Sequence, residues 1–270
     1  MMIITKKDLD YIKKRRKNEP FSLIVDFGQK EVRVIIEENK AVFSNRIILD
    51  LEENLKDNFC YMLDDQGVRK IAFFSEDTNR FYKLVPTPDW PTFSISSVPM
   101  HRVNSPQKDT KNKINLIKPY GYVLDTCMGP GYTAILAARK AKKVITFEKD
   151  DNIRDLAQIN PLSQELFVAK NIEIRMNDVS LEIKELKNDC FDCIIHDPPT
   201  FKLAGELFSQ DFYWQLIRVL KPGGKLFHYT PLYKIKQGFD FPAQIEKRLK
   251  KSGFKAIKYS QEAVGFLCKR

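Results

Sequence analysis

From Pro106 onward the chain alternates helix and strand patterns, and that alternation restricts its second half to a parallel sheet with crossover helices. The spacing predicts helices at 107–117, 131–141, 151–158 and 209–220, set among strands at 122–126, 143–147, 171–176, 191–196 and 225–230. Pro242 then stands at a first helical position, Ile245 and Leu249 share one face, and Gly253 ends this further helix. Strands at 254–260 and 264–269 follow with almost no connection. They must lie antiparallel, because a parallel return takes about a dozen residues or more.

Residues 1–104 read differently. Short β-branched and aromatic runs at 21–27, 31–37, 41–49, 68–74 and 81–85 are separated by turn residues, which predicts a small antiparallel, β-rich unit. A helix over Lys6–Lys17 precedes it and ends in the basic run Lys13-Lys-Arg-Arg-Lys17. Between Pro86 and Pro106 five prolines exclude continuous helix and favour an extended connector. The division expected is a β-rich accessory domain with its connector at 1–104, and a larger α/β domain at 105–270.

No apolar run approaches the ~18 residues a bilayer span requires, and no signal-peptide pattern follows Met1, so a soluble cytoplasmic protein is expected. The five cysteines are an odd number without a disulfide or metal spacing, and Cys190-Phe-Asp-Cys193 runs into an expected buried strand, which reads as core thiols. His101, His196 and His228 lack i, i+3 or i, i+4 spacing, so no metal is assigned. The net charge of +10 is unevenly placed: 17 Lys and Arg stand against 16 Asp and Glu in residues 1–104, but 28 against 19 in the remainder. A basic domain draws polyanions through phosphate contacts, which makes RNA the leading partner class.

Strand ends carry the chemistry. In an open parallel sheet ligands gather at the carboxyl ends of the strands, so motifs there face one crevice. Asp125-Thr-Cys-Met-Gly-Pro-Gly131 follows the first strand of this half and opens a helix, with Gly129 and Gly131 permitting close backbone approach. Cys127 replaces the first glycine of a dinucleotide fingerprint and Ala134 the last, while Pro130 lacks an N–H, which argues for a cofactor without a pyrophosphate. Glu148 ends the next strand, 23 positions after Asp125, near the offset at which an acid accepts from ribose hydroxyls. Asn177-Asp178 ends the third, where a carboxylate can accept from an adenine amino group. Together these imply an adenosine ligand. His196-Asp197-Pro198-Pro199-Thr200 ends the fourth strand.

On these residues the second half resembles the class I S-adenosylmethionine-dependent methyltransferases, and Asp197-Pro198-Pro199-Thr200 resembles their Asn/Asp-Pro-Pro-aromatic signature for amino-group methylation. The longer strings Asp197–Ser209 and Leu220–Tyr229 most resemble a group of predicted archaeal-type methyltransferases of unassigned substrate. The resemblance implies a Rossmann-like seven-stranded sheet with an antiparallel last strand, and S-adenosylmethionine as methyl donor. It also implies an amine acceptor, with Asp197 and the first proline's carbonyl accepting from the target nitrogen. Thr200 departs from the signature, since an aromatic ring usually stacks there on a planar substrate. Phe201 and Tyr229 can supply a ring, and His101 with Arg102 can meet an anionic substrate.

The reading is an N-methyltransferase acting on an amino group in tRNA or rRNA. Its rivals are a methyl- or aminopropyltransferase acting on a small amine or protein side chain, with Glu206 and Asp211 as the nearby acids in sequence, and a non-catalytic RNA-binding protein on the same fold.

Overall fold

The computed structural model describes residues 1–101, 105–201, 203–230 and 240–270. It divides into two compact units, Met1–Pro106 with Gln158–Leu162, and Gln107–Ala157 with Ser163–Arg270. Among the described residues no helix is long and apolar enough to cross a membrane.

In the first unit β1 (Met2–Thr5) leads directly into α1 (Lys6–Lys13), where the Asp8 carboxylate accepts from the Thr5 backbone N–H at 2.7 Å in a capping box. The helix stops at Lys13 instead of reaching Lys17. Five consecutive cations put Lys13 and Lys17 at i, i+4 with no acid between them, which opposes a further turn. β2 (Phe21–Val25), β3 (Lys30–Glu37), β4 (Lys40–Phe43) and β5 (Ile48–Asp50) form an antiparallel meander. Val32, Val34 and Ile36 of β3 are buried while Glu31, Arg33 and Glu37 are exposed, the period-2 pattern of a sheet with one wet face. β6 (Cys60–Asp64) and β7 (Gly67–Lys70) join β1 in a second sheet. A third holds β8 (Ala72–Ser75), β9 (Arg80–Val85), β10 (Thr92–Ile95) and β11 (Val98–Pro99).

Three expectations are corrected here. The run 41–49 is two strands, β4 and β5, joined by a turn in which Arg46 takes a positive φ of 64°. The run 68–74 splits at Ile71 between two sheets. The proline-rich connector contains the paired strands β10 and β11: prolines 91 and 99 sit at strand ends, where a missing N–H does not interrupt the ladder, and Thr92, Phe93 and Ser94 between them are buried.

The second unit runs α2 (Pro106–Ile117), β12 (Tyr122–Asp125), α3 (Tyr132–Ala138), β13 (Lys143–Phe147), α4 (Asp151–Ile159), α5 (Glu165–Val168), β14 (Ile172–Arg175), α6 (Val179–Glu182), β15 (Phe191–His196), α7 (Gln210–Val219), β16 (Leu220–Tyr229), α8 (Phe241–Lys251), β17 (Lys255–Ser260) and β18 (Gly265–Lys269). Its sheet has the order β14-β13-β12-β15-β16-β18-β17. The first five strands are parallel, and β18 lies antiparallel between β16 and β17. Pro242 falls in the first turn of α8, behind an Asp240 cap that accepts from the Ala243 N–H at 3.0 Å.

The core on one face joins Leu124, Ile194 and Leu226 to Phe212, Tyr213 and Leu216 of α7 and to Ile245 and Leu249 of α8. Leu249 is fully enclosed in it. Leu249→Ala is expected to cost about 2–5 kcal/mol, the range for emptying a buried leucine site, and denaturant unfolding followed by tryptophan fluorescence measures it.

Candidate active site

Sheet order reverses between β12 and β15, with β13 and β14 on one side and β16 on the other. Crossovers leaving in opposite directions open a crevice at the carboxyl ends of these strands. Asp125, Glu148, Asp178 and Asp197 are placed at the ends of β12, β13, β14 and β15 respectively.

The turn after β12 is held by its backbone. The Gly131 N–H donates to Met128 O at 2.8 Å and the Met128 N–H to Phe147 O at 2.7 Å. Gly129 and Gly131 have φ of 52° and 80°. A Cβ on Gly131 would stand 2.7 Å from Leu166 Cδ2, so this position needs glycine both for conformation and for space. Asp125 is fully buried, accepting from the hydroxyls of Thr146 at 2.8 Å and Thr133 at 3.3 Å. Burial, only partly countered by those hydroxyls, pushes its carboxyl up to about 8. Cys127 is half-buried beside it, its thiol pushed well up by burial and by Glu148.

Glu148 is fixed by three backbone donors: Gly129 N–H at 3.2 Å to one oxygen, and Lys149 and Asp150 N–H at 2.9 and 3.0 Å to the other. Burial still raises its carboxyl to about 7. Asp178 caps α6, accepting from the Ser180 N–H at 2.8 Å and hydroxyl at 2.7 Å. Burial opposes its charge, but Ser180 and the Lys149 ammonium at 3.2 Å outweigh that and hold it below the usual range. Lys149 also reaches Glu206 at 3.0 Å. Asn177 beside Asp178 is exposed.

Asp197 meets a partner that sequence reasoning missed. Lys113, on α2, places its ammonium 2.7 Å from Asp197 Oδ2 and 2.6 Å from Asp109 Oδ2, and its side chain is only 4% exposed. Burial works against that charge, yet the two carboxylates hold the lysine well above its ordinary value. The Tyr229 ring lies 4.8 Å from the same ammonium. In sequence Asp109 and Lys113 are an ordinary i, i+4 pair of a polar helix, and nothing marks them as enclosed. Pro198 is buried, Pro199 exposed and Thr200 half-buried, with the Thr200 carbonyl accepting from Leu203 N–H at 2.7 Å. Phe201 is 54% exposed, its ring 5.7 Å from that of Phe208.

Behind Asp197 two histidines stand opposite each other on β15 and β16, ring centroids 4.7 Å apart. His196 Nε2 faces the Leu207 carbonyl at 3.1 Å, which can only accept, so Nε2 carries the proton and Nδ1 accepts from the Thr126 hydroxyl at 2.8 Å. By the same reasoning His228 donates from Nδ1 to Tyr229 O at 2.8 Å and accepts at Nε2 from the Tyr213 hydroxyl at 2.7 Å. Burial keeps both neutral, lowering His228 to about 4 and His196 well below its usual value. Of the remaining candidates, His101 belongs to the first unit, its Nδ1 3.0 Å from the Thr92 hydroxyl. Arg102 lies outside the described residues. Asp211 is exposed in the first turn of α7.

This strand order is a Rossmann-like seven-stranded sheet with an antiparallel β18, a fold that solved structures share. A crystal structure of spermidine synthase in complex with the transition-state analogue AdoDATO superposes with a TM-score of 0.60 at 16% identity, covering 95% of this chain and 80% of that one. MNMC2 from Aquifex aeolicus superposes with a TM-score of 0.52 at 17% identity, over 70% of this chain and 69% of its own. No family model matches the chain. It is 40% identical over 277 residues to the uncharacterized protein MJ1233 of Methanocaldococcus jannaschii, covering 98% of this chain and 94% of that protein, and it belongs to the same family.

Two outcomes test this geometry. Lys113→Met leaves Asp109 and Asp197 facing each other without their cation and is expected to cost about 3–5 kcal/mol, part of it regained in Lys113→Met/Asp109→Asn, as read from denaturant midpoints. Asp125 binds its proton more tightly folded than unfolded, since its carboxyl rises from 3.8 to about 8. Its contribution to stability is therefore complete below about pH 4 and lost as pH climbs to about 8. Asp125→Asn should flatten the fall in melting temperature across that window.

Proposed function

We propose that this chain is an S-adenosylmethionine-dependent transferase that methylates an amine nitrogen held at Asp197, with an amino group of RNA as the acceptor. The observation that carries the reading is the position of Asp197 just after β15, the strand paired in parallel with β12 from which the glycine turn leaves, with Oδ2 anchored by Lys113. That leaves Oδ1 to accept from the substrate N–H.

The residues at the strand ends suit such a donor. Gly129 and Gly131 bring bare backbone to the crevice, and Glu148, aimed by three N–H groups of which two fill Oε1, retains a lone pair on Oε2 for a ribose hydroxyl. Asn177 and Asp178 lie where the adenine amino group is expected. Asp178 meets it with Oδ2, the oxygen it otherwise shares with Lys149. When bound, the donor supplies an electrophilic methyl group on a sulfonium sulfur. The carboxylates of Glu148 and Asp197 oppose that positive charge.

Asp197 orients the amine lone pair toward the methyl carbon, and the buried Pro198 fixes the following backbone carbonyl as a second acceptor. As the nitrogen gains its bond to the methyl carbon, whose bond to sulfur breaks to leave a neutral thioether, it takes up the positive charge. Its proton passes to Asp197 Oδ1 and from there to water. The neutral histidines carry no charge that would repel this developing cation. Support for RNA is the charge of residues 105–270, 28 Lys and Arg against 19 Asp and Glu.

A second reading, aminopropyl transfer to a small amine, is favoured by two observations. The spermidine synthase likeness extends over 95% of this chain, the β-rich first unit included. Thr200 also stands where a ring would stack on a planar base.

The test pairs methyl-labelled S-adenosylmethionine, and separately aminopropyl-labelled decarboxylated S-adenosylmethionine, with total tRNA, rRNA and a diamine. Methyl label in RNA, reduced at least 100-fold by Asp197→Ala, is the expected result. Label reaching only the diamine from the decarboxylated donor replaces the first reading by the second, and no transfer from either donor defeats both.

A further inference from the structure

We infer that the amino-terminal edge of the second unit's sheet, at the end away from the crevice, is an RNA-binding surface. Lys225, Lys269 and Lys255 stand directly opposite one another on β16, β18 and β17. Residues so paired share a face roughly 5 Å apart, and like charges there destabilise a sheet. A lysine on an edge strand often serves to block edge-to-edge pairing. That accounts for Lys255 on β17, the outermost strand, but not for Lys225 and Lys269, whose strands are paired on both sides.

The row continues into exposed aromatic rings. Lys225 Nζ lies 5.4 Å from the Tyr120 ring, which is 43% exposed, and Lys142 Nζ lies 5.3 Å from the Tyr122 ring, which is 37% exposed. Among the described residues the ion pairs at this edge are Lys143–Glu173, Lys221–Asp192 and Arg270–Asp189. None of them engages Lys142, Lys225, Lys255 or Lys269, so these four cations are unneutralised. Lysines in register beside partly exposed tyrosine rings, each ring flanked by an ammonium, match a strand of phosphates whose bases lie against the rings. From Lys225 to Tyr229 beside the crevice is only ~13 Å along β16, so one folded RNA can contact the edge while its amino group reaches Asp197.

This inference rests on the RNA reading above, and binding is therefore measured apart from catalysis. The full chain is titrated by fluorescence anisotropy against unfractionated tRNA at 50 to 200 mM salt, and compared with Lys142→Glu/Lys255→Glu/Lys269→Glu and with Tyr120→Ala. S-adenosylmethionine binding by calorimetry reports that each variant keeps its crevice. The triple variant is expected to lose at least tenfold in affinity and to shallow the log Kd against log salt slope by about 2, while Tyr120→Ala weakens binding with the slope unchanged. If tRNA binds and the triple variant binds equally well, the edge is not the surface, and the acceptor reading is left to its own label-transfer test. If wild-type protein binds no RNA, both the surface and the RNA reading fall.

Discussion

The hydrogen bond from Thr126 to His196 is the tie on which the crevice depends. It joins the turn after β12 to the end of β15, the two neighbouring strands at which the sheet reverses its order. The backbone repeats the link, since the Thr126 N–H donates to Ile195 O at 3.0 Å. With both bonds in place the glycine turn and the Asp197 turn hold a fixed separation, which a reaction sensitive to placement at the ångström scale requires. His196 can serve this purpose because its other nitrogen is already committed to Leu207, so the ring has one tautomer and one orientation.

Around that tie the site collects charge in a dry setting. Asp109, Asp125 and Lys113 are each less than a tenth exposed, and the Asp197 side chain is 21% exposed. Such a group is stable only when every member is satisfied, and here Lys113 serves two carboxylates while three hydroxyl contacts serve a third. The arrangement suits a cation more than an anion.

Much of the second unit was legible in the sequence because its central strands β12 and β15 are almost wholly buried and its turns carry glycine or proline, so period and punctuation agree. The four acids at strand ends were found for the same reason: a motif at a strand's end has a known place once the sheet is parallel. Lys113 was invisible, because its partner Asp197 lies 84 residues away and the helix pattern gives no reason to enclose a lysine. The first unit was legible as β-rich but not strand by strand. Met2–Thr5 is buried without alternation, and Ile71 passes the chain from one sheet to another where the sequence runs on unbroken. Asp178 shows the limit of motif reasoning in another way, for the same carboxylate that could bind adenine also caps α6.

The place of β18 bears on how the molecule is made. β17 emerges from the ribosome before β18, yet among the described residues its strand partner is β18, and β18 in turn completes β16. Until residues 265–269 are available, two strands of the sheet keep open ladders and α8 lacks Phe266 beneath it. The second unit therefore closes as a single late event, and a growing chain carries exposed strand edges that invite mispairing for as long as synthesis of this hairpin takes.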